Sequence, residues 1–560
     1  MRTFLNTFLL VIILPAGICA QHQAEDVILK AMQDELDRNM KELRLPDYDG
    51  PFFIMYSIQD QKTYGITATL GSIIQTTERP TRFKSNTRIL VGDYAFNDES
   101  LEDNLSSAPT ALEISLPIDD DYLGIRRSLW SSTDKVYRDA ARHFQKHQQT
   151  LKESGKSLAD LPHRSFGKGR PITLISTGTP YRFDNVSWGN KLKDLSSMFL
   201  KHPDILYSGV VMQFTEGHNY MVSSEGVVAK IPFQKTSLIV IAQRKNEHGE
   251  FVFEQIAHNT RTPDELPSLD QLKNEIEKMN SDVHKQLELP KFDDEYNGPV
   301  LITGAAVAHV FSSALFNGTE SVSANNFIPR LTGYQYPGNA TGMDNKIGKV
   351  IISESMTVKA KPFLKNYNNV DLLGAFDIDD EGIVPQDGLV IIENGVLKNL
   401  LNDRTITNIS QSANGFSSGP GVLEVTTTFD HSEDELKAKL LAAAKKDGLE
   451  HALIFRHSPL LMGVVNVSRI SVKDGKEELL RNALLPDVSF RMLRRILGAS
   501  GSYEAHNLNS SNFLNGGDNV PEMSFIVPKA LLFESMDVRP FEIPVLKEEE
   551  YVSNPLLEIK

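Results

Sequence analysis

The chain has one cysteine in 560 residues, Cys19, and it lies inside an apolar leader. Without that leader no thiol remains, which excludes a disulfide, a cysteine nucleophile and a cysteine metal ligand. An exported protein without disulfides depends on its core alone, which this length allows. Positive charge is also scarce, with 58 Lys and Arg against 73 Asp and Glu, a net charge of −15. No basic run offsets this balance locally, so a phosphate backbone is not an expected partner. Beyond the leader no stretch approaches ~18 uninterrupted apolar residues, so no transmembrane segment is expected. P-loop and HExxH motifs are missing, and the G-x-S-x-G string Gly415–Gly419 is not taken as a nucleophile elbow. A serine triad assembled across the fold is not excluded by that absence.

What is present begins with Arg2, an apolar run from Phe4 to Pro15, and the small residues Ala16, Gly17 and Ala20. That pattern predicts a signal peptide over 1–20, cleaved near Ala20, and an exported protein, periplasmic or secreted. Lipid anchoring at Cys19 is the less favoured alternative, because Ile18 stands where a small residue belongs.

Apolar residues at three- and four-residue steps predict a helix over 25–45, stopped by Pro46. Residues 51–93 read as a β meander of three runs, and a polar helix is expected at roughly 133–153. A helix around 190–201 and a second meander to about 260 follow, then a helix over 269–289 ended by Pro290. The polar stretch after it is taken as a boundary between an N-terminal domain, 21–290, and a C-terminal domain, 291–560. Short β-type runs fill the latter, with one helix at about 433–446. The expected class is α+β. The N-terminal α/β domain carries antiparallel meanders and flanking helices, and the C-terminal domain is β-rich with largely antiparallel sheets.

Two clusters could bear chemistry. His143 and His147 share one helical face at a zinc-site spacing, but no Glu follows His143 and the helix is polar all round, so a solvated face is expected. Asp377, Asp379, Asp380 and Glu381 precede Gly382; the spacing is not that of an EF-hand, and a solvated turn is the plainer reading.

GPVLITGAAVAHVFSSALFNG at 298–318, LLGAFDIDDEGIVPQDGLVIIENGVLKNLLNDRT at 372–405 and MSFIVPKALLFESMDV at 523–538 resemble the TldD/PmbA (TldD/TldE) metalloprotease family. The resemblance implies a zinc peptidase scaffold that dimerises around a cavity. It also implies a helix bearing His-Glu-x-x-x-His, with a distant cysteine completing the zinc site. Aligned here, those three positions hold Ser312, Ser313 and Asn317. Hydroxyls and an amide replace neither the donors nor the base that activates zinc-bound water. The chain contains no His-Glu dipeptide, and His309 is the one imidazole nearby. The expectation is therefore no catalytic residue, no cofactor and no bound zinc, as in the TldE-type members. The resemblance then implies a non-catalytic subunit, in a homo- or heterodimer or beside a zinc-bearing TldD-like paralogue, acting on extended peptides. Two alternatives remain open: a stand-alone peptide- or ligand-binding protein, and a hydrolase using another site, with Asp379, Asp380 and Glu381 the first suspects.

Overall fold

The computed structural model describes residues 26–101, 116–160, 163–245, 251–317, 320–323, 341–407, 412–417, 419–456, 464–484, 488–508, 523–541 and 555. The signal peptide expected over 1–20, with Cys19 and Ala20, lies outside them. The class is α+β, with several largely antiparallel sheets.

Helix α1, Val27–Glu42, starts where Asp26 accepts from the Ile28 and Leu29 amides. Strands β1, Pro51–Thr69, and β2, Ser72–Val91, form one long hairpin, not the three runs expected from sequence. Pro80 looks like a break but sits opposite Lys62 on the outermost strand. A missing amide there costs no ladder bond on the open side. Helix α2 runs from Tyr122 to Ser154, about three turns longer than expected, capped by Asp121 and ended by Gly155 at φ 62°.

After β3, Arg164–Phe166, and β4, Ile172–Ile175, comes α3, Asn185–Ser197. Strands β5, Ile205–Ser223, β6, Val227–Lys245, and β7, Phe251–Thr260, follow, then α4, Leu269–Gln286. The two expected meanders are one sheet, ordered β2-β1-β5-β6-β4 with β7 also on β6, because β1 pairs antiparallel with β5 from Met55↔Ser223 to Ala68↔Val210. Side chains alternate across a strand. Ile54 and Tyr56 accordingly pack with α1 and α2, while Phe53 and Met55 pack with Phe166 and with Ile378 from the later half.

Strand β8, Tyr296–Thr303, lies inside a second six-stranded sheet, between His451–Phe455 and Ala530–Pro540. A third six-stranded sheet includes Met356–Ala360, Val422–Thr427, Met523–Pro528 and Tyr503–Leu508. Helix α5, Ala305–Ser312, follows β8 and shares one apolar core with both sheets, through residues such as Val307, Phe311, Ile302, Val358 and Phe525. On the other side of the second sheet the helix Glu433–Lys446 buries Leu436, Leu440 and Ala444 against Leu301 and Leu532. Its Ser432–Glu435 capping box sets its start. No helix of the described residues is long and apolar enough to cross a membrane.

Candidate functional site

The strand β8 ends at Gly304, whose φ of 65° and ψ of −148° suit glycine, and the chain turns there directly into α5. Ala306, Val307, Ala308, Val310 and Phe311 are buried around the helix, so its position is fixed by packing on all sides. The α-helix then widens into a π-turn over Ser313–Asn317. The carbonyl of Leu315 accepts from the Val322 amide at 3.1 Å and from Ser321 Oγ at 3.3 Å.

This widening bears on the spacing of the sequence-predicted positions. In an α-helix, residues five apart stand roughly 140° apart around the axis. The i→i+5 geometry of a π-turn instead brings them onto the same side. Ser312, the last α-helical residue, and Asn317, the last of the π-turn, are thereby aligned along the backbone. Ser312 is 8% exposed and Ser313 half-buried; the side chain of Asn317 lies outside the described residues.

His309 sits one turn before Ser312. Burial, reinforced by the neighbouring His506, pushes its imidazole down to about 4, so it is neutral at ordinary pH. His506 belongs to the strand Tyr503–Leu508, and its Nε2 lies 2.9 Å from Glu504 Oε1. Glu504 and His506 were not singled out in the sequence. Their i, i+2 spacing on one strand face is a weak local signal, and their nearness to α5 is set by tertiary packing. Zinc requires three or four thiolate, imidazole or carboxylate donors. Hydroxyls at 312 and 313 with His309 as the nearest imidazole do not supply that many donors. Among the described residues no three His, Cys, Asp or Glu side chains converge as a metal group.

The acidic cluster is not a solvated turn. Asp377 and Asp380 are exposed, but Asp379 is 1% exposed and Glu381 8%. Asp379 accepts from the backbone amides of Glu381, Ile383 and Ser417 at 3.0, 2.8 and 3.1 Å. Burial first, and Glu381 second, push its carboxyl up to about 7, while the amides pull the other way. Glu381 pairs with Arg88 of β2 and accepts from the Arg404 amide at 2.6 Å.

Arg404, 0% exposed, donates from Nε to the Gly167 carbonyl at 2.8 Å and from Nη2 to Glu225 at 2.5 Å. Its Nη1 has no partner among the described residues. Phe166 lies between the two guanidiniums, 4.7 Å from that of Arg88 and 4.0 Å from that of Arg404. Strand β3 pairs with Thr405–Thr407 beside them. Glu381 therefore braces Arg88 against residues after 370, while Asp379 ties its own turn to Ser417, and the oxygens of both are engaged.

His143 and His147 do not form a pair of ligands. His147 is buried with Nδ1 3.1 Å from the Asn97 carbonyl, while His143 is half-buried.

Residues 297–539 match the family model of the PmbA/TldA metallopeptidase C-terminal domain. This stretch is thus similar to the C-terminal domain of the TldD/PmbA family. The match covers the half that holds α5, the acidic brace and both C-terminal sheets. Solved structures extend the likeness in fold to most of the chain. A protein described as a modulator of a DNA gyrase from Thermotoga maritima superposes with a TM-score of 0.54 at 13% identity, covering 90% of this chain and 100% of its own. One described as a modulator of DNA gyrase from Bacteroides thetaiotaomicron gives 0.55 at 12%, covering 91% and 98%. TldE from Thermococcus kodakarensis gives 0.49 at 13%, covering 91% and 100%. Comparison with curated proteins finds no match.

Proposed function

We propose that this chain is an exported, non-catalytic TldD/PmbA-family protein with a degenerate zinc site, serving as a subunit of a peptidase complex that acts on extended peptides. The observation that carries the reading is α5. It keeps the strand–glycine–helix entry and a π-turn that aligns positions five apart, yet bears hydroxyls at 312 and 313. Loss of donors within an intact scaffold fits a protein whose remaining task is to shape a chamber or recruit peptide, for instance by strand addition to a sheet edge. Export is proposed from the leader at 1–20, and a division into one N-terminal domain, 21–290, and one C-terminal domain, 291–560, from the change of texture at Pro290.

A hydrolase built on Asp379, Asp380 and Glu381 is the weaker reading, because Asp379 and Glu381 are engaged by three backbone amides, Arg88 and the Arg404 backbone. The partner is proposed to be a zinc-bearing relative of the same family. Co-expression with such a relative followed by light scattering is expected to give a stable heteromer, with peptidase activity abolished by replacing the relative's zinc ligands. A monomer that binds peptides unaided would instead favour a stand-alone binding protein.

A further inference from the structure

An apolar pocket lies between α3 and the start of α4, outside the residues 297–539 matched by the family model. Trp188, Lys191 and Leu195 stand three and four residues apart on α3 and so share one helical face. Leu272 of α4, with Pro263 and Leu266 of the link before it, supplies the other walls. Trp188, Leu195, Leu266 and Leu272 are buried, while Asp264 and Ser268 at the rim are exposed.

The walls are held before any ligand arrives. Glu265 takes the amides of Arg261 and Thr262 at 3.0 and 3.4 Å, and Ser268 and Gln271 form the capping box that starts α4. Lys273 ties α4 to Asp194 of α3 at 2.6 Å. Such preorganisation lowers the cost of binding.

The pocket measures about 190 Å³. An apolar cavity of roughly 150 Å³ takes up benzene, and sites for whole drug-sized ligands begin near about 300 Å³. The space therefore suits one large apolar side chain. Of the two charged residues in the lining, Asp264 accepts from the Tyr181 hydroxyl at 2.9 Å, whereas Lys191 makes no ion pair among the described residues. The Lys191 ammonium lies 3.8 Å from the centre of the Trp188 ring, so an unneutralised cation stands beside the aromatic wall. A carboxylate next to the bound apolar group complements that charge.

We propose that this pocket binds an extended peptide by one large apolar side chain, phenylalanine or leucine in size, whose neighbouring residue is acidic and pairs with Lys191. The proposal rests on the reading of this chain as a protein that recruits peptides, and it gives that reading a sequence preference. It makes no use of α5.

Trp188 serves as the reporter in the test. The chain has two tryptophans, and Trp130 is 49% exposed on α2, so W130F leaves the indole of the pocket alone to report. Full-length W130F is titrated with an acetylated, amidated hexapeptide of glycines carrying one phenylalanine followed by one glutamate, reading Trp188 emission and heat in parallel. Saturable binding that shifts the emission is expected. Alanine in place of the phenylalanine should weaken it at least about 10-fold, the effect of losing one buried ring. K191E in the same background, checked for folding by circular dichroism, should turn the preference at the neighbouring position from glutamate to lysine. Casein, a long unstructured polypeptide, is run beside the hexapeptide to read recruitment by itself. Casein bound without a change in Trp188 emission, or an unchanged glutamate preference in K191E, would overturn the pocket and leave peptide recruitment standing. Neither casein nor hexapeptide bound would overturn both.

Discussion

Replacing Arg404 with methionine should destabilise the folded protein by about 3–5 kcal/mol, the range for breaking a buried ion pair from one side. The substitution keeps the aliphatic volume but removes the donors to Glu225 and to the Gly167 carbonyl. Glu225 then keeps Tyr94 Oη at 2.8 Å and the Gly169 amide at 3.1 Å, but loses its cation. Urea denaturation measures the loss, and the double variant R404M/E225Q should recover part of it, since the two residues act as a unit. A loss below about 1 kcal/mol in R404M, typical of a surface pair, would contradict the bracing role.

The second large effect is a pH dependence centred on Asp379. Its carboxyl titrates near 7 in the folded protein, against 3.8 for the ordinary group. Between those values the folded state binds the extra proton, so stability falls as pH rises through that window. The contribution is intact below pH 4 and fully lost above pH 7, on the order of 4 kcal/mol at about 1.4 kcal/mol per unit. Glu254, pushed up to about 7 chiefly by burial, acts in the same direction. His309 works oppositely at acid pH, since a buried neutral imidazole costs stability as the unfolded chain takes up protons below its ordinary value of 6.5. The clean measurement is therefore a difference: the stability of D379N relative to wild type should rise from pH 4 to pH 8. Parallel profiles for the two proteins would show that Asp379 is ionised throughout.

The sequence was readable where local chemistry decides structure. The Ser432–Glu435 box and the apolar stripe Leu436, Leu440 and Ala444 set the helix at Glu433–Lys446 as expected. Legibility failed where tertiary context overrides local signals. Pro80 and the polar run Gln59–Thr63 look like interruptions, but β1 and β2 run through them because β5 and an open edge accept them. In α2, Ile125 and Leu129 continue the buried stripe of Val136, Ala140 and Phe144, and the serines and Gly124 among them obscured it. The TldD/PmbA resemblance, and the residues Ser312, Ser313 and Asn317 on which the proposal rests, were visible in the segments around α5. The π-turn was not, since no residue type specifies it. Nor was the burial of Asp379 and Glu381, because Arg88 lies 293 residues from Glu381 and no local pattern links them.

The central claim is that α5 bears no catalytic zinc. It is tested most directly by elemental analysis of the dialysed, purified protein, run beside a peptidase assay with added zinc and with a chelator. Protein carrying well under one retained zinc per chain, and showing no chelator-sensitive cleavage, is the predicted result. Close to one retained zinc per chain, with cleavage that the chelator abolishes, would contradict the account and place a working metal centre in this protein.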